Sequence, residues 1–149
     1  MKILVTGGAG YIGTHTCVEL LQSGYDIAVI DNLCNSKKEA IRRVEAICGR
    51  KFPFYEADLR DKAALDSIFA TEKIDAVIHF AGLKAVGESV RLPLRYYENN
   101  LASTLTLLTC MKAHGGMVSS FFLFSSLTDH STFLLTCVRL FEDGVQLNF

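Results

Sequence analysis

The sequence has no tryptophan, only two prolines and no long apolar run. Its most apolar region, 117–141, is interrupted by Asp129, His130 and Arg139, so no uninterrupted stretch reaches the roughly 20 residues that cross a bilayer. Lysines and arginines number 15 against 16 aspartates and glutamates, for a net charge of -1. This balance leaves no basic field to attract a phosphate backbone. We therefore expect neither a membrane partner nor a nucleic-acid partner.

The five cysteines and four histidines are too scattered for a zinc site or a disulfide scaffold. The cysteines form no CxxC pair, and the fold would have to gather the histidines by accident, so we expect no metal site. A strand-like run follows Lys2 directly, without the apolar core and cleavage site of a secretory signal. We expect a cytoplasmic protein with reduced cysteines. Its 149 residues, 50% of them hydrophobic, fit one compact domain.

Short β-branched runs alternate along the chain with longer segments of helical periodicity. This alternation is typical of a parallel sheet covered by helices on both faces. Because crossovers between parallel strands are nearly always right-handed, we predict an α/β fold, a doubly wound parallel sheet of about five strands in the order 3-2-1-4-5. The predicted strands are 2–6, 26–31, 52–57, 74–80 and 121–125, and the predicted helices are 11–22, 36–47 with Ser36 as its N-cap, 61–70 and 94–112.

A glycine-rich loop with the sequence GGAGYIG lies between the first predicted strand and the first predicted helix. Gly7 permits a tight turn, Gly10 lets the backbone approach a pyrophosphate, and Gly13 lets the helix pack on the strand. The free N–H groups and positive end of the helix would then hold the phosphates. A turn that binds nothing is the alternative, but the loop stands in the strand-to-helix context that a dinucleotide site requires.

Asp31 ends the second predicted strand about 20 residues after this loop, where a carboxylate can accept hydrogen bonds from the hydroxyls of a ribose. Its negative charge would repel a 2′-phosphate, and no arginine follows immediately to offset that charge. The pattern therefore predicts a Rossmann fold that binds a dinucleotide, and it favours NAD over NADP as the cofactor.

Four stretches of the sequence together resemble the UDP-glucose 4-epimerase family, which belongs to the extended short-chain dehydrogenases/reductases. They are the glycine loop at 6–13, DNLCNS at 31–36, HFAGLKAVGES at 79–89 and YYENN at 96–100. The glycine loop is shared across the superfamily, whereas DNLCNS and HFAGLKAVGES are more specific. The resemblance covers about 1–126, which we expect to be a truncated NAD-binding Rossmann domain. The tail at 127–149 diverges from the family, and we expect it either to be disordered or to cap the sheet.

The resemblance implies a tightly held NAD that oxidises C4 of a UDP-sugar to a transient ketone, which turns and is reduced from its other face. It implies that Gly7, Gly10, Tyr11, Ile12 and Gly13 hold the pyrophosphate, that Asp31, Asn32, Asn35 and Ser36 hold the adenosine ribose and its surroundings, that Asp58 and Leu59 flank the adenine, and that Phe80, Ala81, Gly82, Lys84 and Asn99 line the path to the nicotinamide. On the residues alone, alternatives stay open. The alternative to a cofactor-binding role is a solvated surface amine for Lys84 and a polar helix residue for Asn99. For Asn35 and Ser36 the alternative is a loop followed by a helix cap.

The catalytic groups of the family have no counterpart in this sequence. The family places a catalytic tyrosine four residues before a lysine, whereas this chain has no tyrosine after Tyr97 and none with a lysine four residues later. The family's active-site hydroxyl aligns with Leu127. Because the phenol and the lysine that tunes its pKa are both missing, we expect no catalytic residue and no epimerase activity from this chain.

Three hypotheses for the function follow. The chain is the NAD-binding portion of a UDP-glucose 4-epimerase, an isomerase of galactose metabolism, and is inactive by itself. Alternatively, it is a non-catalytic NAD-binding or regulatory isoform, or it derives from a related nucleotide-sugar dehydratase or decarboxylase. The LKAVGES segment favours the epimerase over these related enzymes. The resemblance implies a UDP-sugar as the substrate of the family, and a second copy of the chain is a candidate partner of its full-length members.

Overall fold

The computed structural model describes residues 1–114 in full, together with the backbone of three strands at 120–125, 134–141 and 144–148. Strands and helices alternate through most of this length. The elements are β1 (Lys2–Thr6), α1 (Tyr11–Gln22), β2 (Asp26–Asp31), α2 (Lys38–Cys48), β3 (Phe54–Glu56), α3 (Lys62–Glu72), β4 (Ala76–His79), α4 (Val86–Arg91), α5 (Pro93–Ala113), β5 (Ser120–Ser125), β6 (Leu134–Phe141) and β7 (Gly144–Asn148).

The predicted parallel sheet is confirmed, with the order β3-β2-β1-β4. β5 lies parallel beside β4, and β6 and β7 follow in antiparallel pairing. Thr6 pairs with Ile30 on one side and with His79 on the other, so the carboxyl ends of three strands meet at one edge of the sheet. Leu127 and the loop at 115–119 lie outside the described residues, and the boundary at residue 126 stays a prediction.

Side chains alternate across the sheet and form a core on each face. Leu4 points to the face covered by α3 and α5, where it packs with Phe69 and Leu107, all of them fully buried. Ile3 and Val5 point to the opposite face, which α1 and α2 cover. Full burial of one such side chain contributes about 1.5–3 kcal/mol, so the two cores together hold the strand ends in place. Within the described residues, none of the helices is both long and apolar enough to span a membrane.

Two local predictions differ from the structure. Ser36 is not the N-cap of α2, because its hydroxyl donates to Asp31 Oδ1 at 2.8 Å. The N-cap is the next residue, Lys37, and α2 begins at Lys38. The helix α4 was not predicted, because six residues are too few to show a helical period. The Ser36 hydrogen bond links the segment before α2 to the carboxylate at the end of β2.

Candidate functional site

A cleft lies at the carboxyl ends of β1, β2, β3 and β4 and encloses about 660 Å³ of empty space, part of it open to solvent. Its walls come from the segment that follows each of these strands and from one side of α5. Open parallel sheets bind ligands outside the carboxyl ends of their strands, at the point in the sheet where the strand order reverses. The residues that line the cleft are Gly7, Gly10, Ile30, Asp31, Asn32, Cys34, Asn35, Ser36, Ala57, Asp58, Leu59, Phe80, Ala81, Gly82, Leu83, Asn99 and Ser103.

Gly7 and Gly10 form the floor of the cleft, and Gly13 packs against Gly7. Gly7 has a φ of +67°, and a Cβ there would lie 2.6 Å from the backbone nitrogen of Ala81. A Cβ on Gly13 would lie 2.4 Å from the carbonyl oxygen of Gly7. For Gly10, by contrast, the Gly7 oxygen at 3.2 Å is the sole close neighbour among the described residues. The first and third glycines therefore serve backbone packing, while the second faces open space.

The open space at Gly10 lies at the N-terminus of α1. Gly10 is the N-cap of this 12-residue helix, and within the described chain no side chain caps its first N–H groups. No acidic residue lies in the first turn. Uncapped N–H groups and the positive end of the helix dipole together favour an anion at this position.

The carboxylate of Asp31 is fixed by three hydrogen bonds. Its Oδ2 accepts from the backbone N–H of Ala9 at 3.0 Å, and its Oδ1 accepts from the backbone N–H of Leu33 at 2.9 Å and from the hydroxyl of Ser36 at 2.8 Å. Leu33 adopts a φ of +57° in making its bond, which is unusual for a residue with a branched side chain. Two carboxylate oxygens offer about four acceptor positions, so Asp31 keeps capacity for a ligand hydroxyl.

Asp58 carries a charge that a neighbouring cation balances. Arg60 donates to it through Nε at 3.0 Å and through the terminal nitrogen Nη2 at 2.7 Å, and Asn32 donates from the other side at 3.4 Å. The hydrogen bonds from Arg60 lower the pKa of Asp58 to about 2. Asp31, which pairs with neutral donors in the described structure, is therefore the main negative charge on the β2 side of the cleft.

Residues 3–130 match the NAD dependent epimerase/dehydratase family. The chain belongs to this family. The family is NAD dependent by description, in line with the cofactor predicted from the glycine loop and Asp31.

UDP-glucose 4-epimerases are prominent among the relatives within this epimerase family. The chain is 64% identical over 115 residues to the UDP-glucose 4-epimerase of Bacillus subtilis, a match that covers 77% of this chain and 34% of the relative. It is 60% identical over 112 residues to that of Schizosaccharomyces pombe, covering 75% and 32%. The structure superposes on UDP-glucose 4-epimerase from Bifidobacterium longum in complex with NAD+ and UDP, with a TM-score of 0.77, 53% identity, and coverage of 80% of this chain and 37% of that one.

The chain thus spans about a third of the length of these epimerases. The predicted resemblance to the N-terminal portion of UDP-glucose 4-epimerases is confirmed by these matches. The whole enzymes contain parts that this chain does not match, so their activity does not pass to it by similarity alone.

The structure brings most of the predicted site residues of this epimerase-family chain to the cleft. Among the residues expected at the pyrophosphate, Tyr11, Ile12 and Gly13 lie in the first turn of α1 and not in the lining. Tyr11 is 82% exposed. Lys84 is exposed and lies just beyond the lining.

Several residues of the cleft were not among the predicted site residues. Cys34, Leu83 and Ser103 all line the cleft; the first two lie in stretches that resemble the family, whereas Ser103 does not. Arg60 contributes through its ion pair with Asp58. Asp58 and Arg60 are two residues apart after a strand, and this spacing is the one feature of the sequence that could have indicated the Arg60 contact. Across the described residues, no group of three or more His, Cys, Asp or Glu side chains is placed to hold a metal ion.

Proposed function

We propose that this chain binds NAD in the cleft above β1–β4, as the NAD-binding portion of a UDP-glucose 4-epimerase. The observation that carries the proposal is the glycine floor. Gly7 and Gly13 pack against backbone, while Gly10 leaves room at an uncapped helix N-terminus for a phosphate group. When bound, NAD supplies a site that accepts and returns a hydride. The chain's own residues bind and orient the dinucleotide.

The two sides of the cleft suit two different parts of NAD. Asp31 stands beside the glycine loop on the β2 side, where its carboxylate would accept the hydroxyls of the adenosine ribose. Its position is fixed by three hydrogen bonds, so it cannot turn away from a 2′-phosphate, which it would repel. Asp58 and Leu59 form the wall for the adenine, and Phe80, Ala81 and Gly82 form the wall on the β4 side. This arrangement supports NAD over NADP.

Neither Tyr55 nor Tyr96 is suited to replace the family's proton shuttle. Burial and a hydrogen bond to Glu72 raise the pKa of Tyr55 to about 12, and burial and a bond to Glu88 raise the pKa of Tyr96. A general base works best with a pKa near the operating pH, so both shifts are in the wrong direction. We therefore propose that this chain contributes cofactor binding, and that interconversion of UDP-glucose and UDP-galactose needs parts found in the longer relatives.

Calorimetric titration of the purified chain with NAD tests the proposal, with a matched pair of single-methyl variants. In Gly10→Ala the new methyl group enters the space assigned to the pyrophosphate, and we expect NAD affinity to fall at least about tenfold. Gly87→Ala places the same methyl group where no described atom lies within 4 Å apart from its chain neighbours and the backbone of its own helix, and we expect unchanged affinity. Equal affinities for NAD in the wild type and both variants would remove the glycine loop from the site.

In the same preparations, turnover of UDP-galactose at about 1 per second or faster would show that the chain is catalytic after all.

A second copy of the chain is the proposed protein partner. Four apolar residues recur at spacings of three and four residues on one side of α5. They are Leu94, Tyr97, Leu101 and Leu105, which are 75%, 61%, 57% and 63% exposed. Contiguous apolar stripes of this kind mark interaction surfaces, and two copies can bury the same stripe against each other around a two-fold axis. We expect Leu101→Lys to shift the chain from dimer to monomer in light scattering, while Lys112→Ala near the end of α5 leaves the mass unchanged. A monomeric wild type would contradict this.

We also propose a cytoplasmic location. Cys17, Cys34, Cys48 and Cys110 all carry free thiols in the described chain, and Cys34 is exposed. Secreted proteins tend to hold their cysteines as disulfides, whereas the cytoplasm keeps thiols reduced. Fractionation of cells that produce the chain would test the location.

A further inference from the structure

Asn100 in α5 pairs with the peptide groups of Leu83, a residue of the segment that follows β4. The side-chain nitrogen Nδ2 donates to the Leu83 carbonyl oxygen at 3.0 Å, and the side-chain oxygen Oδ1 accepts from the Leu83 N–H at 2.8 Å. One amide thus satisfies both backbone groups of one residue. Turning the amide over would oppose donor to donor and acceptor to acceptor, so its orientation is determined by the backbone.

The backbone of Asn100 is itself anchored to the sheet. The Thr104 hydroxyl donates to the Asn100 carbonyl oxygen at 2.8 Å and lies 3.2 Å from His79 Nε2. Because that hydroxyl proton is used, Thr104 accepts from Nε2–H, which leaves His79 Nδ1 to accept from the Thr6 hydroxyl at 2.6 Å. A chain of hydrogen bonds therefore runs from β1 through β4 to Asn100, and the Asn100 side chain extends it to Leu83.

The segment that Asn100 holds forms the cleft wall opposite Asp31. Ala81, Gly82 and Leu83 all line the cleft, and Asn100 does not. Gly82 packs directly on the Asn100 amide, since a Cβ there would lie 3.3 Å from Oδ1. With the adenosine ribose at Asp31 and the pyrophosphate at Gly10, the second nucleotide of a dinucleotide has to extend toward this wall.

We propose that Asn100 is a positioning residue for the second nucleotide of NAD, acting through the Leu83 peptide and the wall at 81–83. The inference rests on the proposed function, because it requires NAD in the cleft. It adds a residue for which the sequence analysis predicted no role. Asp31 and the glycine loop have hydrogen bonds of their own, although Gly7 also packs against the backbone of Ala81, so we expect the adenosine and pyrophosphate positions to change less than the second nucleotide position when Asn100 is replaced.

The test compares NAD with ADP, which contains the adenosine and pyrophosphate but lacks the second nucleotide. In Asn100→Ala the Leu83 peptide loses its side-chain partner, and we expect NAD affinity to fall about tenfold while ADP affinity stays within about twofold of the wild type. Asn100→Asp is isosteric and keeps the acceptor for Leu83 N–H, but it sets a carboxylate against the Leu83 oxygen. We expect it to show the same selective loss of NAD. Thr109→Ala, which removes an exposed hydroxyl from the same helix, should change neither affinity.

The outcomes separate this inference from the proposed function. A wild type that binds NAD and ADP, with variants at Asn100 that lose NAD alone, supports the inference. If the Asn100 variants lose affinity for both ligands equally, or for neither, the inference is overturned. NAD binding by the wild type would still stand as the function. A wild type that binds neither ligand overturns the proposed function and the inference with it. Melting temperatures of all variants, measured alongside, identify any loss that comes from unfolding.

Discussion

The buried histidine between β1 and α5 makes the stability of the fold depend on pH. His79 is 1% exposed, and burial, with a smaller contribution from the charge of Lys84, lowers its pKa to about 4. In the unfolded chain the same imidazole titrates near 6.5. The folded state therefore keeps His79 neutral over a range where the unfolded state binds a proton. The full stability contribution is present above about pH 6.5 and is lost as the pH falls through 4.

The magnitude follows from the two pKa values. Between about pH 8 and pH 5, linkage gives a loss of about 2 kcal/mol from this one group, rising to about 3 kcal/mol below pH 4. For a chain of this size, 2 kcal/mol corresponds to a fall in melting temperature of about 4–8 °C. Urea unfolding followed by circular dichroism at pH 8 and pH 5 measures the difference directly.

Two variants isolate the contribution of His79. His79→Gln cannot titrate, so its loss of stability between pH 8 and pH 5 should be smaller than that of the wild type by about 2 kcal/mol. At pH 8 this variant should itself be less stable by about 1–3 kcal/mol, because Thr6 or Thr104 loses a hydrogen-bond partner. His15→Gln changes an exposed histidine and should retain the wild-type pH dependence. If His79→Gln loses as much stability as the wild type, the buried neutral histidine is not the cause.

Three further predictions concern the cleft. Gly13→Ala should fail to fold or should melt far below the wild type, because its Cβ would lie 2.4 Å from the Gly7 oxygen; thermal unfolding measures this. Asp31→Ala should weaken the free energy of NAD binding by on the order of 1–3 kcal/mol and reduce the difference in affinity between NAD and NADP, as measured by calorimetry. Arg60→Ala should raise the pKa of Asp58 from about 2 toward the ordinary value in an NMR titration, and the loss of this exposed ion pair should change stability by less than about 1 kcal/mol.

The sheet could be predicted from the sequence because its buried strands are short apolar runs with polar residues or glycines at their ends. In β2 all four residues from Ile27 to Ile30 are buried, so the strand stands out as an unbroken apolar run that ends at Asp31. The glycine loop was equally predictable, because a tight turn and a close helix packing each exclude a side chain at a fixed spacing.

The contacts that organise the cleft could not be predicted in the same way. The Ser36 hydroxyl was predicted to cap α2 but donates to Asp31, because the path of the loop brings it to that carboxylate. Asn100 and Leu83 are 17 residues apart, and their pairing depends on where α5 packs against the segment after β4. No local period or spacing encodes such a contact, because both partners are set by tertiary packing.

Titration of the purified chain with NAD and with NADP, in parallel and in one buffer, tests the central claim most directly. The glycine floor at the N-terminus of α1 predicts a single NAD site, and the fixed carboxylate of Asp31 predicts NADP binding at least about tenfold weaker. Absence of NAD binding by a folded chain, or NADP binding that equals or exceeds that of NAD, would contradict the account.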